Sequence, residues 1–238
     1  MNNNGKGFVR FRDVVKSYNT GGVTVNALNG LSFEIDEGEF VVVAGPSGAG
    51  KTTLLNLLGG MDKPTSGEIT ADGREVSAFT ERQLCEYRRD AVGFVFQFYN
   101  LMPNLTAIEN IELAVEICKD ALEPAGVLES VGLDERAKNF PAQLSGGEQQ
   151  RVSIARAVAK NPRLILCDEP TGALDYETGK KILRLLHDIC REKKKTVVIV
   201  THNSALRGMA DKVVLIKNGR AESVIVNQAP QNIEEIEW

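Results

Sequence analysis

The chain has 238 residues, of which 42% are hydrophobic and 25% are charged, an ordinary composition for one soluble globular domain. Its formal net charge of −4 argues against a nucleic-acid partner, because such a partner usually requires a basic face. No stretch approaches the roughly 20 apolar residues of a membrane span, and residues 1–6 hold no apolar signal core, so we expect the chain itself to stay outside the membrane. Its four cysteines lack metal-ligand spacing, which predicts reduced thiols in the cytosol.

The N-terminal part of the chain predicts strands on either side of a glycine-rich loop. Phe40–Ala44 is a continuous apolar run, which is typical of a buried parallel strand, and residues 51–59 beyond the loop have a helical pattern. Further strands are predicted at residues 8–15, 31–35 and 92–96, the last of which ends at Gln97.

A helical block follows in the sequence. Thr106 and Glu109 form a capping box in front of one predicted helix, and a second helix is predicted over residues 124–131 with Gly132 as its C-terminal cap. Because this block separates two halves of an α/β pattern, we interpret it as an inserted helical subdomain.

Beyond the helical block, helices and strands alternate, which predicts a parallel sheet with helices on both faces. The predicted helices cover residues 145–160 and 176–192, and the predicted strands cover residues 163–167 and 196–201. Asn218-Gly219 between two apolar runs predicts a terminal β-hairpin, and residues 227–238 form an acidic tail.

The glycine-rich loop matches the pattern G-x-x-x-x-G-K-[ST] without a gap. It consists of Gly45, Pro46, Ser47, Gly48, Ala49, Gly50, Lys51 and Thr52. Glycines let backbone N–H groups point inward at phosphate oxygens, Lys51 supplies a charge to the β- and γ-phosphates, and the Thr52 hydroxyl suits Mg²⁺. A chance glycine-rich turn is the alternative, but this loop follows a buried strand and opens a helix, as a phosphate-binding loop does.

Asp168 and Glu169 end an apolar run and form the second half of the predicted site. Asp168 at the carboxyl end of a strand can hold the Mg²⁺ shell through water. Glu169 can then polarise the attacking water as a general base. The alternative is a strand followed by two solvated acids, which the presence of the phosphate-binding loop disfavours.

The segment Leu-Ser-Gly-Gly-Glu at residues 144–148 distinguishes among nucleotide-binding families. Ser145 and Glu148 can form a capping box, so one interpretation is an ordinary helix start. Gly146 and Gly147 are poor helix formers, however, and would suit a bare backbone that a phosphate approaches. The sharper hypothesis is that this segment meets the γ-phosphate held by a second copy of the chain.

These motifs in this order resemble the ATP-binding-cassette ATPases, over about residues 7–226. The resemblance implies an α/β fold of the P-loop NTPase class, with a parallel core sheet flanked by helices and an N-terminal antiparallel β subdomain. It also implies a RecA-like core, about residues 7–97 and 160–226, and a helical subdomain over about residues 98–159. The implied cofactors are ATP and Mg²⁺.

The resemblance also assigns roles to residues that the local pattern leaves open. Gln97 would link Mg²⁺ and the attacking water to a loop that contacts a partner, and His202 would contact the γ-phosphate and orient the water. Asp175 would connect the two sites of a dimer, and Tyr18 would stack on adenine. Asn203 departs from the family, because much of it has Asp there.

The expected site follows from these assignments. Its catalytic residues are Lys51, Gln97, Glu169 and His202, and its Mg²⁺ ligands are Thr52, Gln97 and Asp168. Its nucleotide-binding residues are Tyr18, Gly45, Pro46, Ser47, Gly48, Ala49, Gly50, Lys51, Thr52 and Thr53, with Ser145, Gly147 and Asp175 as the part that serves the dimer.

Residues 64–69, 97–103 and 170–175 are similar to the lipoprotein-release and macrolide-export ATPases. That similarity implies a dimer bound to a permease with a large extracytoplasmic domain, on the inner face of the cell membrane. It implies export or mechanotransmission for antimicrobial peptides, macrolides or lipoproteins. The alternatives are a soluble ATPase such as one for cluster assembly, and a nucleotide-sensing scaffold, against which Glu169 and His202 argue.

The loop after Gln97 carries four large apolar residues, which are Phe98, Tyr99, Leu101 and Met102. They either cover the core of the helical subdomain or form a groove for a cytoplasmic helix of the permease.

Overall fold

The computed structural model describes residues 7–236. Its strands are β1 (Val9–Thr20), β2 (Val23–Ile35), β3 (Phe40–Ala44), β4 (Ser66–Ala71), β5 (Arg74–Glu75), β6 (Val92–Val95), β7 (Leu164–Asp168), β8 (Thr196–Thr201), β9 (Lys212–Lys217) and β10 (Arg220–Val226). Its α-helices are α1 (Lys51–Leu58), α2 (Glu81–Asp90), α3 (Ala107–Val115), α4 (Pro124–Ser130), α5 (Gly146–Ala159) and α6 (Tyr176–Glu192).

Six strands form the core sheet, in the order β10-β9-β3-β8-β7-β6. All neighbouring pairs are parallel except β9 with β10. Alternate residues of β3 point to opposite faces: Val41 and Val43 join the core cluster that includes α1, whereas Phe40 and Val42 join the cluster that includes α5 and α6. The expected α/β fold, with helices on both faces of a mainly parallel sheet, is confirmed.

A second sheet is antiparallel and has the order β2-β1-β4-β5. Strands β1 and β2 extend beyond the predicted stretches, because they form one long hairpin around Gly21 and Gly22. The predicted terminal hairpin is also present, and its turn residues Asn218 and Gly219 have φ values of 51° and 73°, as a tight hairpin turn requires.

Helix α2 was not predicted, although the sequence carries a signal for it. Thr80 and Gln83 form a capping box, in which the side-chain oxygen of each residue accepts from the backbone N–H of the other. The helix is mainly polar and buries only Leu84 and Tyr87, so its apolar periodicity is weak.

Helices α3, α4 and α5 lie between β6 and β7 in the sequence, where the helical block was expected. The capping box of Thr106 and Glu109 is confirmed, and Gly132 has a φ of 69° after α4. Helix α5 packs against β6 as well as against α3 and α4, so it connects the helical block to the core sheet. Cys167 and Cys190 are buried core residues.

The segment 227–236 packs against the domain. Ile233 and Ile236 are buried in the same core cluster as Leu183 of α6. The Tyr176 hydroxyl donates to the Ile236 carbonyl at 2.9 Å. The last two residues of the predicted acidic tail, 237 and 238, lie outside the described residues. No helix within residues 7–236 is long and apolar enough to cross a membrane.

Replacing Ile233 with Ala tests whether this segment contributes to folding. Because Ile233 is 6% exposed, we expect Ile233→Ala to lower the free energy of unfolding by about 2 kcal/mol or more. Urea denaturation measures this difference. Ile225→Ala on β10 is the control, since that side chain is 44% exposed and its loss should change stability by less than about 1 kcal/mol. Equal effects would contradict the packing role.

A candidate nucleotide site at the carboxyl ends of the core strands

Four adjacent core strands bring sequence-predicted residues to one edge of the sheet. The phosphate-binding loop, residues 45–52, follows β3, and His202 follows β8. Glu169 follows β7, and Gln97 comes two residues after β6. Because β3, β8, β7 and β6 are parallel neighbours, their carboxyl ends meet at the same edge, which is where open α/β sheets bind ligands.

Two glycines of the phosphate-binding loop are required by the close approach of other backbone segments. A Cβ on Gly45 would lie 2.2 Å from the Ile216 carbonyl oxygen. A Cβ on Gly50 would lie 2.4 Å from the Ala27 carbonyl oxygen, and the φ of Gly50 is 103°. The loop is therefore held from two sides, by β9 and by β2.

Lys51 begins helix α1 and its ammonium group lies within the curve of the loop. Its Nζ donates to the carbonyls of Gly45 at 2.8 Å and Pro46 at 3.0 Å. Gly50 gives α1 no side-chain cap, so the first N–H groups of the helix are not satisfied in that way. A helix N-terminus and a lysine at the same point suit a phosphate group.

Thr52 and Asp168 face each other across this edge. The Thr52 hydroxyl is 3.5 Å from Oδ1 of Asp168. Burial raises the pKa of Asp168 and the Glu169 carboxylate adds to the rise, whereas Thr52 and Lys51 oppose it. A divalent cation would favour the ionised carboxyl, so this hydroxyl and carboxylate fit Mg²⁺, which is usually held by one or two carboxylates and keeps several waters.

Glu169 is held in place by its backbone and by both carboxylate oxygens. Its φ is 46°, a left-handed value that is unfavourable for a non-glycine residue, and its N–H donates to the Val200 carbonyl at 3.0 Å. Oε2 accepts from the Thr201 hydroxyl at 2.8 Å, and Oε1 accepts from the His202 N–H at 2.7 Å. Such strain is typical of functional sites.

His202 contacts the same carboxylate through its ring. Nδ1 lies 2.7 Å from Oε1 of Glu169, and it donates to this carboxylate in any form of the ring that carries the proton on Nδ1. The other ring nitrogen is left for a ligand, and the side chain is 66% exposed. Asn203, the departure from the family, caps the following turn by accepting from the Ala205 N–H at 3.0 Å.

Gln97 lies beside the loop that connects β7 to α6. A Cβ on Gly172 of that loop would lie 2.9 Å from Nε2 of Gln97. Gln150 of α5 also contacts this loop, since its Nε2 donates to the Pro170 carbonyl at 2.9 Å. The loop therefore lies between Gln97 and α5.

Sequence reasoning missed Thr201 as a residue of the site, although it holds the Glu169 carboxylate. A hydroxyl residue at the carboxyl end of a parallel strand, directly before His202, was the available signal.

Ser145 and Gly147 lie apart from the phosphate-binding loop. The capping box is confirmed, because the Ser145 N–H donates to Glu148 at 2.8 Å and Glu148 N–H donates to the Ser145 hydroxyl at 3.3 Å. Helix α5 packs against β6, and two strands separate β6 from β3, which places these strands about 14 Å apart. Ser145 is exposed, whereas Gly147 is buried. Gly147 packs so closely against Thr178 that a Cβ there would lie 2.3 Å from Cγ2 of Thr178.

Asp175 is the N-cap of α6 and is exposed. Its carboxylate accepts from the Thr178 N–H at 3.0 Å, and that hydrogen bond lowers the pKa of Asp175. It is therefore an ordinary helix cap as well as a candidate for contact with a second copy.

Tyr18 lies near the beginning of α1. Its hydroxyl donates to Asp62 at 2.9 Å, and the residue is 39% exposed. Burial, and then the hydrogen bond to Asp62, raise the pKa of Tyr18, while a hydrogen bond with Thr53 of α1 opposes the rise. The ring is thus placed next to the helix that follows the phosphate-binding loop.

A family model and a curated relative both indicate the same protein family for this chain. Residues 28–172 match the model of the family described as ABC transporter. The chain is 44% identical over 234 residues to an ABC transporter ATP-binding protein of Mycoplasma pneumoniae. The aligned region covers 97% of this chain but only 50% of that protein. The chain therefore spans about half the length of this curated relative.

Two further similarities concern export and nucleotide state. The chain is 43% identical over 218 residues to the macrolide export ATP-binding/permease protein MacB of Marinobacter nauticus. The aligned region covers 89% of this chain and 33% of that protein. The chain also resembles the solved dimeric post-hydrolysis structure of the cassette MJ0796, from Methanocaldococcus jannaschii, bound to ADP and Pi. There the TM-score is 0.85 at 41% identity, over 93% of this chain and 99% of that one.

Replacing Asp168 with Asn tests the electrostatics of the site. Because folding raises the pKa of Asp168, its ionisation destabilises the folded state above that raised pKa, and the penalty disappears as pH falls below the pKa of the unfolded chain. We expect Asp168→Asn to melt at a higher temperature than the native chain near neutral pH, without nucleotide or metal. Calorimetry should show this gap closing as the pH is lowered.

Asp175→Asn is the matched control for that measurement. The pKa of Asp175 is lowered, so its ionised form is favoured by folding and its loss should not raise the melting temperature. If both variants melt higher than the native chain to the same extent, the raised pKa of Asp168 does not explain the stabilisation of Asp168→Asn.

Proposed function

The chain belongs to the ATP-binding-cassette family of transporter ATPases, and from this premise we propose that it is the ATP-binding and ATP-hydrolysing subunit of a membrane transporter. The transporter is of exporter or mechanotransmission type, for cargo of the antimicrobial peptide, macrolide or lipoprotein class. The observation that carries the ATPase part is the Glu169 carboxylate, held by Thr201 and His202 at the same edge as the phosphate-binding loop.

The phosphate-binding loop accounts for nucleotide binding. Lys51 exchanges the carbonyls of Gly45 and Pro46 for the β- and γ-phosphates, since an ammonium group binds an anion more strongly than a neutral carbonyl. Backbone N–H groups of the loop and of the first turn of α1 bind the remaining phosphate oxygens. Tyr18 offers its ring to adenine.

Three residues would hold Mg²⁺, namely Thr52, Gln97 and Asp168. When bound, the ion neutralises charge on the phosphates during phosphoryl transfer. Asp168 and Thr52 are already close, and Gln97 lies at the end of β6, next to β7. A contact between Gln97 and the ion would therefore change the position of the loop that follows Gln97.

Glu169 is the proposed general base. Its carboxylate takes the proton from the attacking water, and the left-handed backbone with the two hydrogen bonds fixes where that proton is accepted. In the protonated form, in which both ring nitrogens donate, His202 binds the same carboxylate through Nδ1 and the γ-phosphate through its other ring nitrogen. Thr201 prevents the carboxylate from rotating away.

A second copy of the chain completes each site. We infer that Ser145 does not serve the loop of its own chain, because α5 packs against β6, which two strands separate from β3. The exposed Ser145 and the N-terminus of α5 would bind the γ-phosphate held by the partner, and Asp175 would lie at the same interface. The dimeric state of the related MJ0796 cassette supports this arrangement.

The loop after Gln97 supplies a surface for the membrane partner. Phe98 is 76% exposed and Met102 is 47% exposed, while Leu101 packs against the core and Tyr99 is half-buried. Exposed apolar side chains next to the site suit a cytoplasmic helix of a permease. MacB, which is named as an ATP-binding/permease protein, supports a permease partner and export.

The partner is a permease with a large extracytoplasmic domain, and the chain is bound at the cytoplasmic face of the membrane through it. This placement follows from the similarity of residues 64–69, 97–103 and 170–175 to the export families.

Glu169→Gln and Lys51→Ala should separate hydrolysis from binding. We expect Glu169→Gln to lower the hydrolysis rate by about 10²–10⁴-fold, since the general base is lost, while ATP still binds and drives dimer formation. We expect Lys51→Ala to weaken binding of a fluorescent ATP analogue instead. Phosphate release, analogue titration and sedimentation with ATP measure these effects. Hydrolysis by Glu169→Gln near the native rate would exclude Glu169 as the base.

The double substitution Phe98→Ala with Met102→Ala should disrupt the partner surface. Because both side chains are exposed, we expect basal hydrolysis and the melting temperature to stay close to native, while co-purification with the permease and stimulation of hydrolysis by the permease are lost. The control is Val224→Ala with Ile225→Ala on β10, which should keep both. Unchanged permease binding by the first variant would contradict this surface, and failure of the native chain to bind any permease would favour a soluble ATPase such as one for cluster assembly.

A further inference from the structure

Tyr99 behaves differently from its exposed neighbours in the loop after Gln97. Tyr99 and Asn100 both have left-handed backbones, with φ values of 59° and 49°. This conformation is unfavourable for non-glycine residues, so other contacts must hold it. Phe98 points to solvent, whereas the Tyr99 side chain is half-buried, and burial raises its pKa.

Arg156 of α5 holds these two residues by their backbone. Its Nη1 donates to the Asn100 carbonyl at 2.5 Å and its Nη2 donates to the Tyr99 carbonyl at 2.9 Å. Arg156 is half-buried, and burial lowers its pKa. Both carbonyls belong to the left-handed turn, so the guanidinium stabilises the turn that directs the Tyr99 ring inward.

The Tyr99 hydroxyl reaches the other end of α5. A Cβ on Gly146, the first residue of the helix, would lie 2.9 Å from the Tyr99 hydroxyl oxygen and 3.5 Å from Leu174. Gly146 and Arg156 are about 15 Å apart along the helix axis, at a rise of 1.5 Å per residue. The Arg156 and Tyr99 side chains together span this distance, and both ends of α5 therefore contact one loop residue.

We propose that Tyr99 and Arg156 are positioning residues that fix the N-terminus of α5, and with it Ser145, relative to the loop that follows Gln97. Gly146 is glycine because the Tyr99 hydroxyl occupies the space of a side chain there. A displacement of the loop moves the Tyr99 ring, and the ring moves the helix end that carries Ser145. This inference rests on the proposed function, because Ser145 matters only if a second copy of the chain presents its γ-phosphate to it.

A competing explanation for Gly146 is that its bare backbone admits the phosphate of the partner. The two explanations make opposite predictions for a methyl group at position 146. If the phosphate needs the space, Gly146→Ala is harmful whatever residue stands at 99. If the Tyr99 hydroxyl needs it, removal of that hydroxyl makes room for the methyl group.

The test is a double-mutant cycle of Gly146→Ala and Tyr99→Phe. A misplaced Ser145 should lower kcat for ATP hydrolysis by on the order of tenfold to hundredfold in Gly146→Ala. Tyr99→Phe alone leaves a small gap beside Gly146 and should lower kcat by about threefold. The double variant fills the gap with the methyl group and should recover to within about twofold of the native chain.

Three further measurements separate positioning from general damage. Affinity for a fluorescent ATP analogue should be native in all three variants, because residues 45–52 are unchanged. ATP-driven dimer formation, measured by sedimentation in a Glu169→Gln background, should follow the same pattern of loss and recovery as kcat. Arg156→Lys, which keeps the charge but contacts fewer carbonyls, should lower kcat and dimer formation without changing analogue affinity.

Gly147→Ala is the matched control for the cycle. A Cβ at Gly147 would meet Thr178 rather than Tyr99, so Tyr99→Phe should give no recovery there. If Gly146→Ala is equally harmful with and without Tyr99→Phe, the positioning role is wrong and the phosphate explanation stands. If the native chain shows neither hydrolysis nor ATP-driven dimers, that result contradicts the proposed function itself, whereas failure of the positioning role alone leaves the native activity intact.

Discussion

The parallel register of β3, β8 and β7 is the constraint on which the candidate site depends. Ala44 pairs with Thr201, so the phosphate-binding loop and His202 begin side by side. Asp168 pairs with Val200, so Glu169 lies against Thr201 and His202. A shift of one residue in β8 would exchange the faces of its side chains and remove both hydrogen bonds to the Glu169 carboxylate. The continuous burial of these strands opposes such a shift.

Glycine serves two different physical purposes at these positions. Gly45 and Gly50 allow two backbone segments to approach the phosphate-binding loop, and this contact shapes the loop before any ligand binds. Gly147 allows α5 to approach α6 at Thr178, so its place is explained by helix packing. The sequence motif that contains Gly147 therefore combines a packing requirement with an exposed helix start, and the two cannot be distinguished by residue type alone.

Helix α5 connects parts of the molecule that lie far apart in sequence. Gln150 contacts the turn after Glu169, Arg156 contacts the loop after Gln97, and the helix start carries Ser145. A rigid helix of this length carries displacements between these points with little loss, because its backbone hydrogen bonds resist bending. The helix therefore relates a surface that suits a membrane partner to the residues around the carboxylate.

The sequence by itself determined the parallel core, the phosphate-binding loop and the helix caps at Thr106 and Ser145, because these depend on local patterns of apolar, glycine and capping residues. Helix α2 escaped prediction because its apolar face is narrow. Only the tertiary structure decided that Thr201 holds Glu169, that Tyr99 turns inward and that residues 227–236 pack on α6. Those contacts join residues distant in the sequence, and a local pattern carries no information about which distant side chain will occupy a given space.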